Sequence, residues 1–297
     1  MQHIKVSSRL GFTDGILSPA EIAEALVSAS VAKAAAPPRA TLSMGVLGGL
    51  FIALGGAFFT ATLLGATPGV GAERLVAALM FSVGLILVVV AGAELFTGNA
   101  LMLMAVWRGR LDRRAMARNW GLVLAGNAAG AVGLAVMMGW AGMLQGAHGA
   151  LARDIAEMRF ALDPSVAFVR GVLCNVLVCL AVWMSFSSRT PVGKIACVML
   201  PVAAFVTLGF EHCIANLYLL PAGMLAGAEG GLPAVMGNLI PVTLGNLVGA
   251  ALVAWLYDGA LRAEAPEIAA ATPAPVVTAT PSLPRTKAQP SRAAADA

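Results

Sequence analysis

Charged residues are scarce in this sequence: Asp, Glu, Lys and Arg together make up 11% of its 297 residues. Hydrophobic residues make up 59%, and the mean hydropathy is +0.85. A soluble domain needs more polar residues than this to cover its surface, so the composition excludes that class of protein. The sequence therefore predicts an all-α polytopic membrane protein.

Sequence patterns typical of metal sites and of signal peptides are also missing. The four cysteines all fall in apolar segments; they are Cys174, Cys179, Cys197 and Cys213. None belongs to a Cys-x-x-Cys pair or to a Cys/His pattern with metal-ligand spacing, so we interpret them as small core residues. The sequence predicts no metal ion and no cofactor. It predicts no signal peptide, because residues 1–30 lack an apolar core behind a basic start.

Two polar clusters interrupt long apolar runs. The first, residues 92–99, reads Gly-Ala-Glu-Leu-Phe-Thr-Gly-Asn and lies inside an apolar run over residues 75–107. One crossing needs roughly 20 apolar residues, so this run is too long for one straight helix. The second cluster, residues 209–216, reads Gly-Phe-Glu-His-Cys-Ile-Ala-Asn. Polar groups at such depth are costly unless they line a cavity or find partners, which predicts a pathway built from two related copies.

Hydropathy and composition divide the chain into three parts. Residues 1–40 are predicted to form a cytoplasmic segment, with an amphipathic helix over residues 18–36 that opens with a capping box. Residues 41–258 are predicted to form a six-span channel domain, and residues 259–297 a disordered cytoplasmic tail. The second and fifth spans contain the polar clusters and are predicted to be broken there. The six spans are predicted over residues 41–66, 75–107, 120–143, 164–186, 195–220 and 232–257.

Basic residues fix the predicted topology. With the N-terminus inside, all but four of the 19 Lys and Arg residues fall on the inner side; the exceptions are Arg74, Arg153, Arg159 and Arg170. The positive-inside rule gives most weight to short loops, and the loop after the second span is rich in arginine. Both termini are therefore predicted to be cytoplasmic. The amphipathic helix then lies on the inner face, where it either influences opening of the pathway or serves only as an anchor.

Three matches in the same order along the chain indicate an internal repeat. Gly-Val-Leu at residues 45–47 recurs at residues 171–173, and the two polar clusters match each other. Gly-Asn-Ala-Ala-Gly at residues 126–130 matches Gly-Asn-Leu-Val-Gly at residues 245–249. A repeat of three spans reverses direction in its second copy. The sequence therefore predicts two inverted three-helix halves whose broken helices meet near the midplane, an architecture used for transport.

His212 is the only histidine in a predicted span. Ionisable groups inside a membrane are functional by default, which favours a functional role over a structural, hydrogen-bonded histidine. Burial disfavours a charged imidazole and a nearby anion favours it, so we expect His212 to be neutral at rest and to charge when an anion arrives. Thr97 lies in the first cluster, and its hydroxyl can donate or accept. The break beside Thr97 also exposes backbone N–H groups, which favour anions.

The other polar residues of the clusters have weaker functional indications. Glu94 and Glu211 would repel an anion, so we interpret them as acceptors that hold the broken backbone, together with Gly98, Asn99 and Asn216. Asn175 and Asn246 are either donors that face the pathway or amides that join helices. Large apolar residues surround these groups, and their helical spacing alone predicts core packing; they are Phe81, Leu85, Leu95, Phe96 and Phe205.

Four ordered motifs resemble the formate–nitrite transporter family. They are Ala-Gly-Ala-Glu-Leu-Phe-Thr-Gly-Asn (91–99), Gly-Val-Leu-Cys-Asn (171–175) with Leu-Ala-Val-Trp (180–183), Phe-Glu-His (210–212) with Ala-Asn (215–216), and Asn-Leu-Ile-Pro-Val-Thr-Leu-Gly-Asn (238–246). The resemblance covers residues 18–258. It implies an aquaporin-like fold, a homopentamer with one pore in each protomer, and passage of small monovalent anions such as formate, nitrite or hydrosulfide through a bacterial inner membrane.

The resemblance also implies roles for single residues. His212 and Thr97 would form the central polar pair, with Asn246 beside the histidine and Asn175 on the wall. Apolar residues would narrow the pathway, Phe81 and Phe205 on the outer side and Leu85, Leu95, Phe96 and Val178 on the inner side. The family usually has a lysine twelve residues before the glycine of the fourth span. This chain has Arg159 at that position. The arginine keeps the positive charge but does not keep a role that is specific to lysine.

The sequence therefore predicts a membrane channel or transporter for formate, with nitrite as the alternative. Arg159 and the half-helix ends would attract the anion, and the apolar constrictions would remove its water. Thr97 and His212 would offset the lost hydration, and His212 would lend a proton. Lipid is the expected surrounding, and no nucleic-acid partner is expected. A membrane-embedded enzyme is an alternative of another class, but it is disfavoured because His212 has no Asp partner in its motif. A water or glycerol facilitator is also disfavoured, because the sequence has no paired Asn-Pro-Ala motifs.

Overall fold

The computed structural model describes residues 16–67 and 71–271, and of residues 264–271 it describes the backbone alone. All the regular elements in these ranges are helical, in agreement with the predicted all-α class. The chain divides into two units, Met1–Leu261 and Arg262–Ala297. The first unit holds the site described below. The described part of the second is the end of the last helix.

Twelve α-helices and two short turns of other helical geometry follow one another through the described residues. The α-helices are α1 (Pro19–Ala35), α2 (Pro38–Thr62), α3 (Gly71–Phe81), α4 (Val83–Leu87), α5 (Phe96–Asn99), α6 (Leu103–Trp107), α7 (Arg113–Trp140), α8 (Gly146–Phe160), α9 (Pro164–Ser187), α10 (Pro191–Thr207), α11 (Cys213–Leu225) and α12 (Gly231–Ala271). A π-helical turn, Val88–Gly92, follows α4, and a 3-10 turn, Ala100–Met102, follows α5.

Five helical runs of the described chain are long and apolar enough to cross a membrane. They are Pro38–Thr62, Gly71–Gly92, Arg113–Trp140, Pro164–Ser187 and Gly231–Ala263. The predicted fifth span is divided between two shorter apolar helices, α10 and α11. Neither of these has the roughly 20 residues that a crossing needs, so only the two in series provide that length.

α1 begins with the predicted capping box. Ser18 Oγ accepts a hydrogen bond from Glu21 N at 3.4 Å, and Glu21 Oε2 accepts one from Ser18 N at 2.8 Å. The bonds from the Ser18 backbone and then from its hydroxyl hold the pKa of Glu21 below its ordinary value. The apolar side of α1, including Ile22 and Leu26, is buried in one cluster with Met104 of α6. α1 is therefore packed against the apolar helices rather than detached from them.

Both breaks occur at the predicted places. In the first, Gly92 ends one helical run and α5 begins after Leu95; the second lies between α10 and α11. Gly92 and Gly209 have positive φ angles of 87° and 72°, which glycine adopts without strain. The residues that precede the new helices, Leu95 and His212, are extended, with φ angles of −121° and −116°. The two breaks thus share one backbone geometry.

The matched Gly-Val-Leu motifs allow close helix packing in both halves. A Cβ added to Gly45 of α2 would lie 3.1 Å from Val123 O of α7. A Cβ added to Gly171 of α9 would lie 2.8 Å from Val242 O of α12. Larger residues would push these backbones apart, as is usual where helices of membrane proteins meet at small residues.

The end of the chain differs from its prediction. Disorder is predicted from residue 259, whereas α12 continues to Ala271. Residues 260–264, Ala-Leu-Arg-Ala-Glu, are all strong helix formers and account for the first added turn, and the helix then continues past Pro266. The remainder of the predicted tail, residues 272–297, lies outside the described residues, as do residues 1–15 and 68–70.

Candidate functional site

Asn127 of α7 holds the first break in place. Its Oδ1 accepts a hydrogen bond from Phe96 N at 2.9 Å. Its Nδ2 donates to Gly45 O at 2.7 Å and to Glu94 O at 2.9 Å. Backbone groups left open at a break would be costly inside a membrane, so one amide side chain replaces the missing helical bonds.

Asn246 of α12 does the same at the second break. Its Oδ1 accepts from Cys213 N at 2.9 Å, and its Nδ2 donates to Gly171 O at 2.7 Å and to Glu211 O at 3.0 Å. Asn127 and Asn246 are the asparagines of the matched Gly-Asn motifs. The third motif of the repeat therefore has a physical reason, since each copy supplies the amide that secures one break.

A second polar network surrounds Glu94. Lys33 Nζ donates to Asn99 Oδ1 at 2.8 Å and lies 3.2 Å from Glu94 Oε2. Asn99 Nδ2 donates to Glu94 Oε2 and, at 2.9 Å, to Asn119 Oδ1. Asn119 Nδ2 donates to Lys33 O at 3.4 Å. This network ties α1 to the first break and to α7.

The same network recurs around Glu211. Arg159 Nε donates to Asn216 Oδ1 at 3.2 Å and lies 3.8 Å from Glu211 Oε2. Asn216 Nδ2 donates at 2.7 Å to both Glu211 Oε2 and Asn238 Oδ1. Asn238 Nδ2 donates to Arg159 O at 3.2 Å. The glutamates and asparagines at both breaks thus make the contacts of structural groups, and α8 supplies its arginine where α1 supplies its lysine.

Thr97 and His212 meet at the centre of the site. Thr97 Oγ1 lies 3.0 Å from His212 Nε2, and both residues are buried. Ala215 N donates to His212 Nδ1 at 3.0 Å. A backbone N–H can only donate, so Nδ1 carries no proton and a neutral His212 carries its proton on Nε2. Nε2 therefore donates to Thr97, and the Thr97 hydroxyl keeps its own proton for another acceptor.

This geometry bears on the expectation that His212 lends a proton. A second proton can be added at Nδ1 only if the Ala215 N–H gives up its hydrogen bond. His212 must therefore rearrange before it can lend a proton, whereas the Thr97 hydroxyl donates without rearrangement. Of the two groups, only the Thr97 hydroxyl has a proton to donate without such a change.

The amide N–H groups of Asn175 and Asn246, which the sequence predicts either to face the pathway or to join helices, all donate to backbone oxygens. Asn175 Nδ2 donates to the backbone oxygens of Thr97 at 3.3 Å and of Asn246 at 2.6 Å. The amide N–H groups of Asn246 are used on backbone oxygens as well. Carbonyl oxygens of α5 and α12 occupy the donors of Asn175, and those of α9 and of Glu211 at the second break occupy the donors of Asn246. This arrangement favours the interpretation of both residues as amides that join helices.

Two cavities of about 410 Å³ each carry basic side chains. The Lys33 cavity has two lysines, polar groups of the first break and an apolar wall; its lining includes Lys33, Lys194, Glu94, Gly98, Asn99, Leu85, Val88 and Leu95. The Arg159 cavity has two arginines, one glutamate and an apolar wall; its lining includes Arg74, Arg159, Glu73, Phe59, Leu63, Leu151 and Ile155. Both are large enough for a small anion with some of its water.

Aromatic rings connect the Arg159 cavity to the central pair. Phe59, which lines the cavity, packs edge-on against Phe81 with ring centroids 6.4 Å apart. Phe81 packs edge-on against Phe205 at 5.9 Å. Phe205 stacks on the His212 ring, also at 5.9 Å. The two predicted constriction residues of this side, Phe81 and Phe205, therefore lie in one row that ends at the histidine.

The other predicted constriction residues divide into two pairs. Leu85 and Leu95 line the Lys33 cavity, and each is 2% exposed. Phe96 packs edge-on against Trp120, with ring centroids 6.1 Å apart, and Val178 is buried in α9. All four residues belong to the core cluster that also contains the phenylalanine row. Leu85 and Leu95 therefore form part of the cavity wall, whereas Phe96 and Val178 are core residues outside its lining.

The sequence predicts no individual role for four residues of these networks, which are Lys33, Asn119, Asn127 and Asn238. The repeat contains a pattern that identifies each of them. Lys33 lies twelve residues before Gly45, as Arg159 lies twelve residues before Gly171. The asparagine pairs of α7 and α12 share a spacing of eight residues. Extending the repeat by these spacings would have predicted both networks.

Helices of membrane-crossing length, two broken helices that meet at a buried polar pair and two cavities with basic walls define a membrane transport protein. In the described residues, no group of three or more His, Cys, Asp or Glu side chains could hold a metal ion. The chain belongs to the formate/nitrite transporter family, whose model, described as "Formate/nitrite transporter", matches residues 20–258.

Named relatives agree with this assignment. The uncharacterized transporter YrhG of Bacillus subtilis is 39% identical over 239 residues, which cover 79% of this chain and 89% of the relative. The formate channel FocA of Escherichia coli is 36% identical over 267 residues, with 81% and 93% covered. A solved pentameric formate channel with formate bound is 32% identical, with a TM-score of 0.69 over 76% of this chain and 98% of that one. These proteins are transporters and channels, not enzymes.

Proposed function

We propose that this chain is a channel for small monovalent anions, with formate as the first substrate and nitrite, or hydrosulfide, as the alternative. One observation carries the proposal. The Thr97 hydroxyl is held by the buried His212 Nε2 at 3.0 Å with its own proton available, among apolar side chains. Such a group suits an anion that has lost its water. The formate channels among the relatives support formate as the first choice.

Basic side chains would concentrate the anion at both ends of the pathway. Lys33 and Lys194 line one cavity, and Arg74 and Arg159 line the other. Each cavity has two basic residues and one glutamate in its lining, and a cleft with an excess of one sign of charge raises the local concentration of the opposite ion. Lys33 and Arg159 are paired with glutamates, so Lys194 and Arg74 carry the less compensated charges.

The apolar side chains would select for size and charge. An ion that leaves water for such surroundings loses solvation worth several kcal/mol after relaxation. The ideal solvation cost rises with the square of the charge, so a single charge passes far more readily than two. Phe81 and Phe205 would act on the Arg159 side, and Leu85 and Leu95 on the Lys33 side.

Proton co-movement is part of the proposal, and two routes are open to it. In one, His212 takes a proton at Nδ1 after releasing Ala215 N and then passes a proton toward the anion. In the other, the proton travels on the substrate as its own O–H group and His212 stays neutral. The second route needs no rearrangement of the hydrogen bonds around His212.

The proposal also covers assembly and placement. We propose a homopentamer in a bacterial inner membrane, with six crossings in two inverted halves and both termini cytoplasmic. The pentameric solved relative and the basic loop after the second span support this arrangement. Exposed apolar side chains would face lipid or neighbouring protomers; they include Leu47 of α2, Met137 of α7, Val169 of α9 and Leu252 of α12.

Transport into liposomes tests the function. The purified chain would be reconstituted, and uptake of labelled formate, nitrite and hydrosulfide compared with protein-free liposomes. We expect formate uptake well above the protein-free rate and faster than that of nitrite. If none of the three anions exceeded the protein-free rate, the proposed function would be wrong. Faster nitrite uptake would replace formate by nitrite as the first substrate.

A further inference from the structure

Each of the two cavities receives one basic residue from either half of the repeat. α3 and α10 are the first segments of the two broken spans, and Arg74 and Lys194 are their fourth residues. Arg74 lines the cavity of Arg159, and Lys194 lines the cavity of Lys33. Since Lys33 and Arg159 also occupy matched positions, the two cavities are equivalent in design but differ in residue type. One has two lysines, and the other has two arginines.

Lysine and arginine bind anions in different ways. A lysine ammonium is a compact point charge that attracts any small anion, whereas an arginine guanidinium is a planar fork whose parallel N–H groups match two oxygens of one anion. Formate and nitrite each have two oxygens on one central atom, whereas hydrosulfide and chloride each have a single charged atom. Two arginines in one cavity therefore add a preference for shape to the preference for charge.

The Arg74 guanidinium has free donors. Its Nη2 donates to Val206 O at 3.5 Å, and Arg74 forms no ion pair within the described part of the chain. Glu73 lines the same cavity, but its carboxylate accepts from Thr67 N. Nη2 carries two N–H groups, one parallel to that of Nε and one parallel to that of Nη1. One parallel pair therefore stays free, whichever of the two binds Val206 O.

Arg159 is held in the cavity wall and still has a free nitrogen. Its Nε donates to Asn216 Oδ1 at 3.2 Å, and its Nη1 donates to Ile155 O at 3.0 Å. Its Nη2 has no partner in the ranges that the structure describes. Glu211 lies 3.8 Å from Nε and is not part of the cavity lining. Arg159 therefore contributes a fixed charge and free N–H groups to the cavity.

The two arginines reach the second break from different halves of the repeat. A Cβ added to Gly209 would lie 2.8 Å from Arg74 Nη2, and Arg159 binds Asn216 of the helix that follows the break. Arg159 and Arg170 are close enough to Arg74 for their charges to repel it. An anion bound in the cavity would relieve this repulsion.

We infer that Arg74 and Arg159 form a binding site for small planar anions with two oxygens, which selects formate and nitrite over hydrosulfide and chloride before they reach the phenylalanine row. Arg74 would donate its free parallel pair of N–H groups to the two oxygens, and Arg159 Nη2 would donate to one of them. The inference rests on the proposed function for the identity of the anion. It adds the residues that determine specificity, and it places hydrosulfide last among the three substrates at this entrance.

Binding is measurable without transport, on the purified chain in detergent. Formate has one proton, whose nuclear magnetic resonance line broadens on binding and narrows again when a competitor displaces formate. The selectivity ratio is the chloride concentration that displaces half of the bound formate, divided by the nitrite concentration that does so. We expect a ratio of about ten, since a monatomic anion forgoes one charge-assisted hydrogen bond of the pair. Hydrosulfide should resemble chloride.

Conservative variants separate shape from charge. Arg74→Lys keeps the charge but removes the fork, and the matched position in the other half, Lys194, already has a lysine. Arg159→Lys does the same, and Lys33 makes the equivalent network in the other half. We expect either variant to lower the selectivity ratio from about ten toward one. Lys194→Gln is the control: it removes a charge from the other cavity, so the ratio should be unchanged.

Three results would overturn the inference. The first is a ratio near one for the unchanged chain, because charge alone would then describe the cavity. The second is a ratio in Arg74→Lys equal to that of the unchanged chain, and the third is an equal change in Lys194→Gln. Thermal unfolding in detergent would verify that each variant is folded, and the unchanged chain would decide if Arg74→Lys were not.

Uptake by liposomes distinguishes a failure of this inference from a failure of the proposed function. A ratio of about ten in detergent without formate uptake would support the binding site and remove the function. Formate uptake with a ratio near one, or without any broadening of the formate line, would support the function and overturn the site.

Discussion

At the scale of single residues, the centre is built where the two halves of the repeat differ. His212 and Leu95 both precede the helix that follows a break, and both are extended. Thr97 and Ile214 are the second residues of those helices. One half thus supplies the imidazole and the other the hydroxyl, while the counterpart of each is apolar. At each of these two matched positions, the residue of one half is polar and the residue of the other half is apolar.

Substitution of His212 tests how the central pair works. His212→Phe removes the donor to Thr97 and the acceptor for Ala215 N, so formate uptake should fall severely. His212→Asn keeps an acceptor suited to the start of a helix and an N–H for Thr97, so uptake and its dependence on external pH should persist. Labelled formate uptake with a pH-sensitive dye inside the liposomes measures both quantities.

Two results would contradict this account of His212. Formate uptake by His212→Phe at the rate of the unchanged chain would remove the histidine from the pathway. Formate uptake by His212→Asn without internal acidification would show that the imidazole itself relays the proton. In that case the release of Ala215 N from Nδ1 would be part of every transport cycle.

At the scale of elements, each broken helix depends on one asparagine from a neighbouring helix. Asn246 binds Cys213 N, Gly171 O and Glu211 O, and Asn127 makes the equivalent three bonds at the other break. These bonds replace those that an unbroken helix would make within itself. The breaks are therefore stabilised from outside the segments that contain them.

Asn246→Leu keeps the side-chain size but leaves two buried backbone groups of the second break, Cys213 N and Glu211 O, without this partner, whereas Gly171 O lies inside α9 and keeps its helical bond. Each such group costs about 1–3 kcal/mol, so we expect the thermal unfolding temperature in detergent to fall markedly. Thr60→Val is the matched control, since it removes a buried hydroxyl that serves only its own helix. Equal unfolding temperatures for the two variants would contradict the structural role of Asn246.

At the scale of the whole molecule, the contacts repeat from α1 to α7 and from α8 to α12. The Lys33 and Arg159 networks share four equivalent hydrogen bonds and an ion pair to the glutamate, although one cation is a lysine and the other an arginine. If the halves are inverted, as we propose, these two networks lie toward opposite faces of the membrane. Each entrance then has the same design, a paired cation beside a cavity.

Labelling of introduced cysteines tests this inversion. Arg114 at the start of α7 and Asp154 of α8 are exposed. We expect Arg114→Cys to react with a membrane-impermeant maleimide from the cytoplasmic face only, and Asp154→Cys from the opposite face only. The unchanged chain controls for Cys197, which is partly exposed. Reaction of both introduced cysteines from one face would contradict the inverted arrangement.

Composition and hydropathy are enough to establish the class of protein and the places where the helices break. An apolar run over residues 75–107 is too long for one crossing, and Glu94 within it is too costly to leave in lipid, so a break near Leu95 follows from length and solvation alone. The family motifs likewise indicated that Thr97 and His212 would lie together. These properties depend on local composition and on a recognisable pattern, and both are visible without coordinates.

Which polar atoms are left without a partner within the chain depends on the packing of the helices. Every asparagine side chain has the same donors and acceptors. In Asn175 and Asn246 the N–H groups donate to carbonyl oxygens of segments distant along the chain. The proton of His212 is placed on Nε2 by a single backbone N–H of Ala215. Hydrogen bonds of this kind join segments that are distant in sequence, and no local pattern contains the distances between them. The sequence therefore predicts which residues lie at the centre, and the fold determines which of their atoms are donors or acceptors.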